Sequence, residues 1–101
     1  MHVAVLELDL LLGDIRSLKQ KRSVIRPIVA ELRRRFPVSV GETGHLDLHR
    51  RAEIGVAVVA TDARHCGEVL DGCERLVGER PDVVLLAARR RHMGPHDEGG
   101  L

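Results

Sequence analysis

Residues 17–36 read SLKQKRSVIRPIVAELRRRF, and the fold turns on what this stretch becomes. Val24, Ile25, Ile28, Val29, Leu32 and Phe36 recur at helical spacing, so the segment is a helix with one side to bury. Its remaining side is cationic. Residues 15–36 hold eight bases (Arg16, Lys19, Lys21, Arg22, Arg26, Arg33, Arg34 and Arg35) against one acid, Glu31, a local charge of +7 in a chain whose net charge is +1. Ser17 opens S-L-K-Q, a capping-box pattern in which Ser17 and Gln20 satisfy free amides of the first turn. Pro27 lacks the N–H that would reach the Ser23 carbonyl, at a cost of ~3 kcal/mol in a helix interior. The sequence therefore predicts a kink, or a restart capped near Ser23, with the main helix running to about Phe36 and stopped by Pro37.

On the N-terminal side, residues 2–12 (HVAVLELDLLL) alternate. Ala4, Leu6, Leu8 and Leu10 face one way and Val3, Val5, Glu7 and Asp9 the other, the pattern of a strand covered on one face only. On the C-terminal side, residues 38–43 predict a strand with Val38 and Val40 inward, followed by a turn over 44–49. Residues 51–61 (RAEIGVAVVAT) predict a strand that sends Ile54, Val56 and Val58 to the core. Asp62 is a good N-cap, and Cys66, Val69, Leu70, Cys73, Leu76 and Val77 form an amphipathic stripe that ends at Gly78. Residues 83–90 (VVLLAARR) form the last strand, and the Gly- and Pro-rich segment 92–101 is expected to be a disordered tail after a single domain over 1–91.

The order is β-α-β-β-α-β. Right-handed crossovers then place both helices on one face of a four-stranded antiparallel sheet with strand order 4-1-3-2, an α+β ferredoxin-like sandwich. A chain of 101 residues is long enough for one domain that buries roughly 60–65% of its unfolded surface. With no Trp, no Tyr and one Phe, its core must be aliphatic. Cys66 and Cys73, seven apart on one helix, have Cα atoms ~10 Å apart, too far for a disulfide, so they are expected to be reduced core residues of a cytoplasmic protein. The N-terminus shows no signal-peptide pattern, and no apolar run approaches the ~20 residues of a membrane span.

The segments S-L-K-Q-K-R-S-V at 17–24, F-P-V-S-V at 36–40 and GETGHLDLHRRAEIGVAVVATD at 41–62 resemble the YlxP-like proteins, small bacterial proteins of unknown function, over roughly residues 3–90. The resemblance implies a ferredoxin-like fold. It also suggests a connection to RNA or the ribosome, because the family's genes commonly lie among those for translation initiation and ribosome maturation. Where these proteins usually carry a tryptophan in D-L-W-x-R, this chain has His49 in D-L-H-R-R. The family supplies no catalytic residues to carry over.

The main candidate for function is the basic helix. Lys19, Arg22, Arg26 and Arg33 stand at i, i+3, i+7 and i+14, one stripe if helical geometry runs through Pro27, with Ala30 in the gap and Lys21, Arg34 and Arg35 flanking. Such a row can neutralise successive phosphates of RNA, and the expected nucleic-acid contacts are Lys19, Lys21, Arg22, Arg26, Arg33 and Arg34. The plainer alternative is a solvated face whose three terminal arginines complement the helix dipole. Base stacking on the open sheet face is not expected, since that face offers no aromatic residue.

His45, Asp47 and His49 form H-x-D-x-H, a weak zinc pattern with no evident fourth ligand, so no metal and no cofactor are expected. The order of elements is also that of acylphosphatases, but the chain has no Asn to position water and no glycine-rich cradle at 13–16, so no catalysis is expected. The second functional class is self-association. The apolar residues Val3, Val5, Leu11, Ala57 and Val59 of the open face predict a homodimer, and helix 62–82 is acidic enough to pair with the basic helix of another copy.

Overall fold

A computed structural model of the chain describes residues 1–96. The elements are β1 (His2–Leu12), α1 (Leu18–Arg35), β2 (Ser39–Gly44), β3 (Arg51–Ala60), α2 (Ala63–Gly78) and β4 (Val83–Met93). All sheet pairings are antiparallel, in the order β2-β3-β1-β4. This is the ferredoxin-like α+β sandwich that the alternation of elements predicts.

The alternation along β1 decides which face is covered. Leu6, Leu8 and Leu10 are fully buried against Ile25, Ile28 and Leu32 of α1 and Leu70, Cys73 and Val77 of α2. On β3, Ala52, Ile54, Val56 and Val58 join the same core. Phe36, the one Phe in a chain without Tyr or Trp, caps the C-terminal end of α1 and leans on α2, where a Cβ added to Gly72 would come within 2.5 Å of it. A glycine there lets the helices approach.

Of the two courses the sequence leaves open for α1, a kinked helix from its first turn or a restart near Ser23, the structure excludes the restart. Helix α1 is one helix from Leu18 to Arg35 with Pro27 inside it. Ser23 is an interior residue whose Oγ donates to the Lys19 carbonyl at 3.3 Å. Ser23 and Pro27 both lie on the exposed side, where water can satisfy the carbonyl that proline leaves unbonded. The cap is at Ser17, whose Oγ accepts from the Gln20 amide at 3.1 Å, while Gln20 Oε1 accepts from the Arg16 amide at 2.7 Å.

Strand β2 begins at Ser39, one residue later than expected, and Val38 is only partly buried against the core. Strand β4 continues past the end at residue 90 that the sequence predicts, through His92 and Met93 of the expected tail, because its ladder with β1 runs on to Val3↔Met93. The rest of the expected tail beyond residue 96 lies outside the described residues.

Candidate nucleic-acid interface

Burial of the α1 stripe forces its other side outward. Lys19, Arg22, Arg26, Arg33 and Arg34 are exposed. Lys19 and Arg33 are 14 residues apart, about 21 Å along the axis. Arg22, Arg26 and Arg33 line a groove of ≈ 500 Å³ with Val29 of α1 and Gly41 and Glu42 of β2. The groove runs beside the edge of the sheet, because β2 is paired on one side only. Arg33 Nη2 donates to the Val40 carbonyl of that edge at 2.7 Å, which holds its guanidinium at the groove wall. Arg34 is rotated about 100° from Arg33 and stands apart from the groove.

The ion pairs separate this surface from the arginines of the sheet. All four arginines of β3 and β4 meet carboxylates: Arg51 with Asp9, Arg89 with Glu7 and Glu53, Arg90 with Asp71 and Glu74, Arg91 with Glu7. On α1, Arg35 is paired with Glu31 at 3.3 Å, and Arg80 also reaches Glu31. Lys19, Arg22, Arg26 and Arg34 have no ion-pair partner among the described residues. Exposed cations without local acids keep their full attraction for an external anion.

Lys21 does not belong to this exposed row. It is 2% exposed and sits on the buried face, four, seven and eleven residues before Ile25, Ile28 and Leu32. Its Nζ donates to the carbonyls of His45 at 2.7 Å and Leu48 at 2.8 Å and lies 3.1 Å from Glu42 Oε1. An ammonium has three donors, and here three acceptors meet it, which is the condition under which a buried charge is tolerated. Its work is to hold the β2–β3 connection, and the i, i+4, i+7, i+11 spacing was the signal in the sequence that placed it there.

That connection, residues 45–50, is a turn and not a strand, so His45, Asp47 and His49 do not share one face. His45 has φ 56°, its carbonyl accepts from the Leu48 amide at 3.0 Å, and its Nε2 lies 3.5 Å from Asp9 Oδ1. Among the described residues no group of three or more His, Cys, Asp or Glu is arranged to hold a metal ion. Arg50 ties the turn to the β1–α1 connection through its Nε to the Gly13 carbonyl at 2.9 Å, and its own carbonyl accepts from the Leu12 amide at 2.8 Å.

The open sheet face is less acidic than its β1 and β3 residues imply, because β4 supplies Arg89 and Arg91 and the end of β3 supplies Arg51. Arg51 Nη2 donates to both oxygens of Asp9, at 2.8 and 2.7 Å, and this bond holds the Asp9 carboxyl below its usual range. A shallow trough of ≈ 600 Å³ lies beside these pairs, between Glu7, Gly41, Thr43, Gly55 and Arg91. Cys66 and Cys73 are buried and free, and burial pushes the Cys73 thiol up to about 11. No helix among the described residues is long and apolar enough to cross a membrane.

Comparison with known proteins agrees with the segments that carry the resemblance. Residues 3–90 match the family model described as a protein of unknown function (DUF503). The chain is also 32% identical over 83 residues to the uncharacterized protein YlxP of Bacillus subtilis (strain 168), a match that covers 82% of this chain and 90% of that protein. A family match over nearly the whole described domain, joined to a relative of the same length class, makes this chain a member of the DUF503 (YlxP-like) family of unknown function.

Proposed function

We propose that the protein is a non-enzymatic, cytoplasmic RNA-binding protein that contacts RNA, on or off the ribosome, through the exposed side of α1. The observation that carries this reading is the contrast in ion pairing. The arginines of β3 and β4 are neutralised within the molecule, whereas Lys19, Arg22, Arg26 and Arg34 are exposed and unpaired among the described residues. With Arg33 at the groove wall, Lys19, Arg22 and Arg26 make a row about 21 Å long that suits several phosphates of one strand, with little base selectivity.

The test is filter binding to a structured RNA across a salt series, with wild type beside a variant carrying Lys19→Gln, Arg22→Gln and Arg26→Gln. Arg33 stays unchanged, since its bond to the Val40 carbonyl gives it a structural part. Each phosphate contact removed should lower the salt slope by roughly one unit. Equal affinity of the two proteins, or no binding by wild type, refutes the reading.

A second reading is a homodimer through the open sheet face. Val59 of that face is 61% exposed and Val84 at its other end is 56% exposed, and exposed apolar sheet faces are commonly covered by another copy. Light scattering at high micromolar protein tests it, and a monomer under those conditions refutes it.

A further inference from the structure

We infer that the β2–β3 turn, pinned from below by Lys21, is a second contact element for the RNA bound along α1, with Leu46 and Leu48 lying against the sugar edges of a shallow duplex groove. This inference rests on the RNA reading of the basic helix and adds a contact that phosphate binding does not require.

The turn presents apolar side chains where they cost the most. Leu46 is 59% exposed and Leu48 is 48% exposed, within a segment of otherwise polar residues. Yet the backbone that displays them is tightly held. Lys21 binds the carbonyls on either side of the turn, His45 and Leu48. Arg50 donates to the Gly13 carbonyl of the β1–α1 connection and accepts from the Leu12 amide at the end of β1. His45 sits at φ 56°, in the left-handed region that few non-glycine residues use, His being among the more frequent of them. A fold that commits a buried ammonium to a turn carrying two exposed leucines has pre-organised them, and pre-organisation lowers the entropy cost of binding.

Placement identifies the occupant. Leu46 lines a hollow of ≈ 280 Å³ with Leu18, Lys21, Arg22 and Glu42. Arg22 and Glu42 also line the cationic groove. The turn and the basic row thus adjoin through Arg22 and Glu42, with Leu46 at the head of the row. A-form RNA presents the matching pair of features, a wide shallow groove of sugars and 2′-hydroxyls bordered by a line of phosphates. Asp47 stands between the two leucines. Its carboxylate can accept from a 2′-hydroxyl, whereas insertion into a lipid surface would carry that charge toward hydrocarbon.

The experiment compares wild type, the Leu46→Ser/Leu48→Ser pair and the Arg22→Gln/Arg26→Gln pair, each shown folded by urea titration. The probes are a double-stranded RNA of roughly 20 base pairs, a DNA duplex of the same sequence, and vesicles of phosphatidylserine and phosphatidylcholine. The serine pair should bind the RNA duplex about tenfold or more weakly with an unchanged salt slope, because only apolar contact is lost. The glutamine pair should instead lower the slope by about two units. The preference of wild type for RNA over DNA should shrink in the serine pair. Unchanged RNA affinity in the serine pair overturns the inference while leaving the basic-helix reading standing. No RNA binding by wild type removes both. Vesicle binding that the serine pair abolishes, with RNA affinity untouched, also overturns it and makes the turn a lipid contact.

Discussion

Replacing Lys21 by Met tests the most unusual residue of the core. Met keeps the unbranched stem packed beside Ile25 and Ile28 but removes the three N–H donors. Hydrogen bonds made by a charged donor contribute about 1.5–3 kcal/mol each, and two of them end on turn carbonyls at 2.7 and 2.8 Å. Three things offset the loss. The His45 carbonyl keeps its bond from the Leu48 amide; Glu42, 22% exposed, can turn to water; and the cost of burying the ammonium disappears. A net loss of about 2–3 kcal/mol is expected, less than the ~3–5 kcal/mol seen when a buried charge loses its partner and remains behind. For a domain of this size that lowers Tm by about 10–20 °C. Urea unfolding gives the free energy, and hydrogen exchange should show the Leu48 and Leu12 amides, both bonded within the turn network, losing protection ahead of the β1–β3 ladder. Lys19→Met, two residues away on the exposed side of the helix, should change stability by less than ~0.5 kcal/mol. If the two variants are equally stable and the Leu48 and Leu12 amides exchange as in wild type, the account of Lys21 as the anchor of the turn is wrong.

Other expectations follow from single sites. Asp9 is held below its ordinary 3.8 by the Arg51 guanidinium, so the unfolded state takes up the proton first; the stabilisation is complete above that value and is lost as pH falls through the folded one. Asp9→Asn should therefore be less stable than wild type at pH 6 and show a shallower loss of stability below about pH 4, by urea titration at each pH; a parallel acid limb in the variant refutes the pairing. Cys73, fully buried and with its thiol pushed up to about 11, should resist iodoacetamide in the native protein and react once urea unfolds it, as read by mass spectrometry. Pro27→Ala should stabilise α1 by ~1 kcal/mol or more, since a continuous helix regains the bond to the Ser23 carbonyl, part of the gain being offset by a freer unfolded chain; a lower Tm would show that the proline geometry is used.

What one sequence could determine was periodicity and its consequences. The two-residue alternation of Val3 to Leu10 and the helical stripe from Cys66 to Val77 set element types, faces and the aliphatic core, because burial is read from spacing alone. The caps at Ser17 and Asp62 were legible for the same local reason. Pro27 left two courses open for α1: proline cost is local, but the water-facing position that makes it tolerable in a continuous helix comes from the packed fold. The last residues of β4 were hidden because Arg91 and His92 look like a polar end, and only the ladder offered by β1 draws them and Met93 into the sheet. The candidate interface divided in the same way. That α1 carries a row of cations was written in Lys19, Arg22 and Arg26, whereas which cations are unpaired depended on acids far away in sequence. Lys21 is the clearest case. Its position on the apolar spacing was visible, but its charge argued for the surface. The tertiary structure decided otherwise by bringing the His45 and Leu48 carbonyls and Glu42 from the β2–β3 segment to its ammonium, a set of acceptors that exists only once α1 lies against that edge of the sheet.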